Sequence, residues 1–446
     1  MKKTPTGGPG RQSQIIRMTR SGAATRNLTI AFVFCYLSIM FSGISSMLMS
    51  VYLPVAVKDL LGHVTNERMN TISAYINSIF IFGSMFGGLA WGYICDKIGR
   101  SRSVILSTAL YGLFTTLTAF SSSWVLVGTF RFITGFGIGG VLVTTNILIA
   151  ELWPERKRAI ALGIVSAAMP VGFIAAGALN NLIPQWQDAF LSGIIPMAIS
   201  ILAIPILVEP EGWKKVNGSQ EENPGRQVFS NQYRKNLVYG SLIFGTMLIG
   251  LWAVFSWAPT WVQSITPDAR KADEFRGTTM MVMSFSGLVG SIISGWIVNQ
   301  FGMRHTMTVC FLASFIMTGV VFRMNHSVTL ATFIEMSVLT FFFGISQGAL
   351  SVYIPSLFPT FVRATATGLC YNIGRLFTAS VVFFIGALVS FLGGYGNAVF
   401  TFSFVFLLGS LFTLFYKRSS GDQSSKIGLE PSPSVSGYPV TKIQPH

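Results

Sequence analysis

The segment GYICDKIGRSR, residues 92–102, lies between two long apolar runs and has a second, less complete copy later in the chain. That copy reads GWIVNQFGMRH, residues 295–305, and follows the first by 203 residues. The glycines recur at matching positions, whereas Asn299 stands where the first copy has Asp96. A repeat at a fixed distance indicates that the chain contains two versions of one unit.

A second pair of matching segments supports the repeat. ELWPERKRAIALG, residues 151–163, matches SLFPTFVRATATG, residues 356–368, at an offset of 205 residues. Both segments follow a long apolar run, and each holds a proline and an arginine at the same spacing. The two offsets are nearly equal, so the duplication covers most of the chain.

The composition indicates a membrane protein rather than a large soluble one. Hydrophobic residues make up 51% of the chain and charged residues only 11%. The apolar runs have the length of about 20 residues that a helix needs to cross a hydrocarbon layer of ~30 Å. Because the bilayer core offers the backbone no water, these runs are predicted to be helices.

Twelve spans are predicted, in two bundles of six. The bundles cover residues 27–208 and 236–416 and are joined by a polar cytoplasmic linker over residues 209–235. Residues 1–26 and 417–446 are predicted to be disordered cytoplasmic tails. The spans begin near Asn27, Asn70, Ser103, Trp124, Arg158, Asp188, Asn236, Gly277, His305, Ser327, Arg363 and Gly396.

The net charge of +15 is distributed unevenly along the chain. With the N-terminus assigned to the cytoplasm, 23 of the 31 Lys and Arg residues fall in predicted cytoplasmic segments and 6 fall on the other side. This asymmetry obeys the positive-inside rule and predicts that both termini are cytoplasmic. The charge therefore reflects topology and contact with anionic membrane lipid, and nucleic acid is not an expected partner.

The pattern of Gly, three residues, Asp, Lys, any residue, Gly and Arg between spans two and three resembles the signature of the major facilitator superfamily of secondary transporters. The resemblance covers about residues 28–416 and includes the degraded repeat. It implies an all-α membrane protein with 12 transmembrane helices, arranged as two pseudo-symmetric six-helix bundles. The substrate site of such transporters lies between the halves.

The resemblance also implies a cytoplasmic gate, in which a carboxylate and an arginine pair with neighbouring helices in one access state only. Asp96 and Arg100 match these two positions. The second half lacks the carboxylates, so its copy of the gate is expected to be weaker. The alternative is a capped helix end beside a solvated basic loop. The predicted gate residues are Asp96, Arg100, Arg102, Glu151, Arg158, Arg304 and Arg363.

Two arginines lie inside predicted spans, where a charge costs at least ~2.5 kcal/mol unless it faces a cavity or a partner. Arg131 resembles the arginine of span four that the family associates with proton coupling. Arg375 resembles an arginine of span eleven in the organic-ion and acid-symporter branch, where it favours anionic substrates. A guanidinium can bind a carboxylate through two parallel hydrogen bonds. The alternative for Arg375 is a side chain that extends to backbone carbonyls.

Glu335 is the one carboxylate clearly within a predicted span. At helical periodicity it shares a face of span ten with Phe342, Ser346 and Tyr353. A carboxyl group held away from water binds a proton more readily, so Glu335 is the predicted proton carrier. The alternative is a glutamate near the outer end of the span that is paired permanently to an arginine.

Further substrate contacts are expected from polar and aromatic residues of four spans. Span seven carries aromatic residues around Pro259, and an internal proline kinks a helix. The bland alternative for each aromatic is packing or an interfacial belt. The predicted substrate residues are Arg375, Arg131, Asn372, Tyr371, Trp257, Tyr36 and Asn146.

The sequence predicts proton-coupled uptake of a small organic anion, expected to be a carboxylate, by a monomer in a bacterial inner membrane. It contains no Walker-type loop, no nucleophile–base set and no metal-ligand spacing, so neither enzymatic activity nor a cofactor or metal is expected. Two alternatives stay open. One is a carrier of neutral sugars or metabolites, or a drug exporter, and the other is a non-transporting sensor on the same fold.

Overall fold

Twelve long helices account for nearly all of the described chain in a computed structural model of the protein. The structure describes residues 9–62, 65–153, 155–207, 209–210, 230–358 and 360–415. The first six helices are α1 (Pro9–Leu61), α2 (Asn66–Ile98), α3 (Arg100–Thr118), α4 (Trp124–Leu152), α5 (Glu155–Leu182) and α6 (Trp186–Ala203). The second six are α7 (Asn231–Ser264), α8 (Ala269–Phe301), α9 (Met303–Gly319), α10 (Leu330–Ser356), α11 (Thr360–Phe391) and α12 (Tyr395–Phe415).

Eleven of the described helices are long and apolar enough to cross a membrane, and α3 is not among them. α3 is only 19 residues long and begins with the charged residues Arg100 and Arg102. It nevertheless lies against α4 and α6. The predicted third span is therefore present as a packed helix, although its length and composition alone do not identify it as a membrane span.

The two halves repeat the same helix pairings. In the first half α2 packs on α4, α1 on α5 and α3 on α4; in the second half α8 packs on α10, α7 on α11 and α9 on α10. The halves contact each other through two helix pairs, α2 with α11 and α5 with α8. The internal repeat relates these two pairs, because α2 and α5 of the first half correspond to α8 and α11 of the second half. The helices up to Leu414 form one compact unit; of the second unit, residues 415–446, the structure describes only Phe415.

Some helices extend beyond their predicted apolar cores. α8 begins at Ala269, eight residues before the predicted start at Gly277. The Asp268 side chain accepts hydrogen bonds from the backbone N–H groups of Arg270 (2.9 Å) and Lys271 (3.3 Å), and such an N-cap stabilises a polar first turn. Arg276, which the charge count assigned to the segment before the span, therefore lies inside the helix.

The first helix also begins earlier than the sequence predicts. α1 begins at Pro9 and overlaps the segment predicted as a disordered tail. Most of the predicted linker and C-terminal tail lies outside the described residues. The bundle boundaries themselves stay predictions.

Glycines bring α2 and α4 into backbone contact. A Cβ atom on Gly87 would lie 2.7 Å from Cα of Phe136, and one on Gly139 would lie 2.7 Å from the backbone nitrogen of Gly88. Both distances are too short for a side chain. This fits the close helix packing that small residues allow in membranes.

We expect Gly87→Ala to destabilise the protein by about 1–3 kcal/mol, because the added methyl group forces the two helices apart. Gly92→Ala, on the same helix, is the matched control, since a Cβ there meets nothing within 4 Å. Ala is the better helix former by up to ~1 kcal/mol, so this control is expected to be neutral or slightly stabilising. Thermal unfolding in detergent checks both, and equal effects would contradict the packing argument.

Candidate functional site

The first candidate site joins the turn between α2 and α3 to the end of α4. Arg100 Nη1 lies 2.9 Å from Asp96 Oδ1, and Arg100 Nε lies 2.9 Å from Glu151 Oε1. Nη1 also donates to the carbonyl oxygen of Cys95 at 3.0 Å. The side chains of Arg100 and Glu151 are 15% and 30% exposed, so this pair is less screened by salt than a pair on an open surface, whereas Asp96 is 70% exposed. We refer to this end of the bundle as the Asp96 end.

A sharp turn at Gly99 sets this geometry. Gly99 has φ of 110°, in the region that favours glycine, and it is the one residue between α2 and α3. The turn brings Arg100 back beside Asp96. The glycine is needed twice, because a Cβ there would also lie 2.6 Å from Glu209 Oε1.

Glu209 is a residue of this site that the sequence analysis missed. Its carboxylate accepts hydrogen bonds from the backbone N–H groups of Arg100 (2.8 Å), Ser101 (3.1 Å) and Arg102 (2.9 Å). The first N–H groups of a helix have no partner within the helix and carry partial positive charge. Glu209 therefore caps α3 from the chain that follows α6. The only signal in the sequence is an acidic residue at the start of the linker.

The structure accounts for the other predicted gate residues unequally. Arg102 joins the site through its backbone, and its side chain is exposed. Arg304 donates from Nε to the carbonyl oxygen of Thr413 at 3.3 Å, and from Nη2 to that of Leu414. The second copy thus uses the carbonyl groups at the end of α12 where the first uses carboxylates. The side chains of Arg158 and Arg363 lie outside the described residues.

The second candidate site lies where α11 meets α2. Arg375, midway along α11 and half-buried, donates from Nη1 to Asn372 Oδ1 at 3.3 Å. Gly88 of α2 faces both side chains, since a Cβ there would lie 3.1 Å from Arg375 Nη1. Tyr371, one turn earlier, stacks on Phe244 of α7 with ring centroids 4.3 Å apart. The structure thus brings together three predicted substrate residues at the contact between the halves, and we call Arg375, Asn372 and Tyr371 the Arg375 group.

Arg131 has different surroundings. Its side chain is 1% exposed, and it donates to the carbonyl oxygens of Ser45 (2.8 Å) and Ser46 (3.4 Å) on α1. Its guanidinium carbon lies 4.3 Å from the centroid of the Phe80 ring. All these partners belong to the first half. Arg131 therefore joins α4 to α1 and is not brought to the Arg375 group in this structure.

Two of the remaining predicted substrate residues have partners outside the Arg375 group. Trp257 is fully buried, with its ring centroid 5.5 Å from that of Tyr395 at the start of α12. The Asn146 amide donates to the carbonyl oxygen of Leu142 on its own helix at 2.8 Å. Tyr36 is half-buried on α1. Helical periodicity predicts which face a residue occupies but not how deep it lies, which is why the sequence grouped residues that the structure separates.

Glu335 lies near one end of its helix. α10 begins at Leu330, and Glu335 Oε2 accepts a hydrogen bond of 2.6 Å from the side chain of Asn325, which precedes the helix. Asn325 in turn accepts from Thr332 at 3.1 Å. The position of Glu335 therefore matches the alternative of a glutamate near the end of the span, but the partner of Glu335 in this structure is the amide of Asn325 rather than an arginine.

A third polar group lies where α5 meets α8, and the sequence analysis did not predict it. Asn180 Nδ2 donates to the carbonyl oxygen of Asp273 at 2.6 Å, and Arg276 Nη2 lies 2.9 Å from Asp273 Oδ1. Arg276 is 1% exposed. The halves also meet at this end through a hydrogen bond from Tyr395 to Asn70. We call this end of the bundle the Asn180 end. It lies opposite to the Asp96 end, because Asn180 is in the last turn of α5, whereas Glu151 lies just before the first turn of the same helix.

Comparison with known proteins identifies the family. The family described as Major Facilitator Superfamily matches residues 35–381. The chain belongs to this superfamily. The cis,cis-muconate transport protein of Acinetobacter baylyi is 27% identical, over 83% of this chain and 90% of its own length. The 4-hydroxybenzoate transporter of Pseudomonas aeruginosa is 23% identical, over 80% and 85% of the two chains.

Solved structures agree on the fold. The crystal structure of a D-xylose-proton symporter superposes with a TM-score of 0.73 at 15% identity, and covers 87% of this chain and 97% of the symporter. The expectation of a major facilitator fold with twelve transmembrane helices is therefore confirmed. The protein is an integral membrane transporter and not an enzyme.

We expect Glu209→Ala to expose the first turn of α3, because three backbone N–H groups lose their acceptor. Loss of such a cap costs about 1 kcal/mol of stability. Hydrogen exchange at the amides of residues 100–102 is expected to accelerate. Glu274→Ala, which removes an exposed carboxylate at the other end of the molecule, is the control. Unchanged exchange at these amides would contradict the capping role.

Proposed function

We propose that this major facilitator protein imports a small organic anion, a carboxylate, together with a proton. The observation that carries the proposal is the half-buried guanidinium of Arg375, which lies between the halves and donates to a neutral amide, Asn372. Such a guanidinium retains donors for a carboxylate, and the fork geometry is strongest where water is scarce. The names of the two relatives support this class, since muconate and 4-hydroxybenzoate are organic acids.

The surroundings of Arg375 suit an anion with an apolar body. Tyr371 and Phe244 stack beside it and supply flat apolar surface, and Asn372 supplies a polar contact. The substrate is held here by Arg375, Asn372 and Tyr371. Contact with Arg131, Trp257 or Asn146 requires an arrangement other than this one, because their present partners lie in other parts of the bundle. Tyr36, half-buried on α1, is a further contact in this proposal.

Transport follows from rocking of the halves about this site. The Asp96 end faces the cytoplasm, together with both termini, because it carries the excess of Lys and Arg. The pairs of Arg100 with Asp96 and Glu151 form its gate, with contributions from Arg102, Arg158, Arg304 and Arg363. The bacterial relatives support a location in a bacterial inner membrane. The protein acts as a monomer within the lipid.

Glu335 carries the proton in this proposal. Its Oε2 accepts a hydrogen bond from the side chain of Asn325, which precedes α10. Because Glu335 and Arg375 lie on different helices, coupling acts through the access states. It requires that proton and substrate favour the same state by a difference in affinity.

Arg375→Lys is expected to raise the half-saturation concentration for a transported acid roughly tenfold, since loss of one fork hydrogen bond is worth about 1.4 kcal/mol. The measurement is substrate-induced proton uptake into proteoliposomes. The panel holds monocarboxylates, aromatic acids, sugar acids and neutral sugars.

Arg323→Lys is the control for this substitution, because Arg323 is an exposed arginine whose contacts include Asn397. An unchanged half-saturation concentration for every transported acid would remove Arg375 from the anion site. A response to neutral sugars alone would favour the neutral-solute alternative.

Glu335→Gln is expected to abolish accumulation driven by a proton gradient while sparing exchange of substrate across the membrane, because exchange needs no net proton movement. Glutamine can still accept the hydrogen bond from Asn325, so folding is expected to be preserved. Counterflow and gradient-driven uptake in the same proteoliposomes check this. Equal loss of both activities would show that Glu335 serves another role.

The alternatives make different predictions in the same assay. A drug exporter would move apolar or cationic compounds out of the vesicle interior without competition from acids. A sensor would bind its ligand without moving it. The xylose symporter shares the fold, but at 15% identity this likeness says nothing of substrate.

A further inference from the structure

Arg276 is a buried charge with an incomplete set of partners at the Asn180 end. Its strong contacts are with Asp273 on its own helix (2.9 Å) and with Oε1 of Gln263 on α7 (2.7 Å). Both partners belong to the second half. Among the described residues, its one hydrogen bond across the contact between the halves goes to Oδ1 of Asn180, at the long distance of 3.5 Å, and the neutral Tyr52 of α1 lies near enough to interact with its charge. Its Nε has no hydrogen-bond partner among the described residues.

Asn180 makes the stronger link across the same contact. Its Nδ2 donates to the carbonyl oxygen of Asp273 at 2.6 Å, from the first half to the second. The backbones meet directly beside it, since a Cβ on Gly277 would lie 2.5 Å from the carbonyl oxygen of Gly177. This close approach covers Arg276 and leaves it 1% exposed, while Asp273 stays 54% exposed.

The consequence of opening this end differs for the two side chains. Arg276 would keep Asp273 and Gln263, because they move with it, and would regain water. Asn180 would lose the carbonyl oxygen of Asp273. Burial of a charge is unfavourable unless new partners compensate for the lost water, and among the described residues closure gives Arg276 one long hydrogen bond to Asn180 and the neighbourhood of the neutral Tyr52, but no new carboxylate.

We propose that Arg276 is a positioning residue that favours opening of the Asn180 end, and that Asn180 is the contact that closes it. This role rests on the alternating access proposed above. The two neighbours act in opposite directions, so that the closed end is held without being locked. A carrier needs this balance, because each cycle must open both ends in turn.

The test measures how far the end is closed, by the distance between spin labels at Leu182→Cys on α5 and Lys271→Cys on α8. Both positions are exposed, and the four native cysteines are buried in the structure. The full chain is measured in lipid without substrate. Arg276→Met keeps a flexible, unbranched side chain and removes the charge, and Arg270→Met, at an exposed arginine on the same helix, is the matched control.

We expect Arg276→Met to raise the ratio of closed to open molecules roughly tenfold, because closure no longer buries a charge. Asn180→Ala is expected to lower this ratio about threefold to tenfold, the effect of losing one net hydrogen bond. Arg270→Met is expected to leave it unchanged. Arg276→Met is also measured in the Asn180→Ala background, so that a wild type that is already fully closed does not hide the shift.

A fall in the closed population with Arg276→Met, or no change in either background, would overturn the proposal, since Arg276 would then hold the end shut or play no part. If Arg276→Met does not fold, Arg276→Gln is measured with the same pair of spin labels, and it is also expected to raise the ratio of closed to open molecules. The measurement uses no substrate. A transport assay in which no acid is transported would therefore contradict the proposed substrate class, but it would not change the outcome of the spin-label measurement.

Discussion

The removal of charged groups from water is the constraint on which this structure depends. Besides Arg100, three arginines of the described residues lie buried or half-buried among the helices, and each is compensated differently. Arg131 is held by α1 carbonyl groups and the face of Phe80, Arg276 by a carboxylate and two amides, and Arg375 by one neutral amide. Because an uncompensated charge is unfavourable in a membrane, the arginine with the fewest partners in the protein is the best candidate to bind a ligand.

The two halves share their architecture but not their chemistry. Helix pairings recur six helices later, yet Arg100 pairs with two carboxylates, whereas Arg304 bonds to carbonyl groups at the end of α12. An ion pair between helices can separate into water on both sides. A hydrogen bond to the last carbonyls of a helix has neutral acceptors instead. Both contacts lie within one half, since α2, α3 and α4 meet at Arg100 and α9 and α12 meet at Arg304, so the two copies differ in the chemistry of the contact.

The sequence predicted the helices from their local pattern, and it predicted that Arg100 pairs with Asp96 and Glu151 from the resemblance to the superfamily. Apolar length marks most spans, and the spacing of Asp96, Gly99 and Arg100 on a tight turn specifies which side chains meet. It missed Glu209, because Glu209 caps α3 from a position three helices later in the chain, and such a distant cap leaves no local sequence pattern. It assigned Arg276 to a loop, because a capped polar turn extends α8 past its apolar core. Depth along a helix, which separates Trp257 from Arg375, depends on tertiary packing and cannot be read from periodicity.

The internal symmetry also relates the two places where the halves touch. The contact of α2 with α11 holds Arg375 opposite Gly88, and the contact of α5 with α8 holds Arg276 beside Asn180. In each case an arginine of the second half lies against a helix of the first half, and a glycine of that helix, Gly88 or Gly177, lies at the same helix contact. Since the halves rock largely as units, neither contact can change without the other. In the proposed transport cycle, an anion that binds Arg375 between α2 and α11 therefore acts on the same equilibrium that buries or hydrates Arg276, so that binding at one contact controls access at the other.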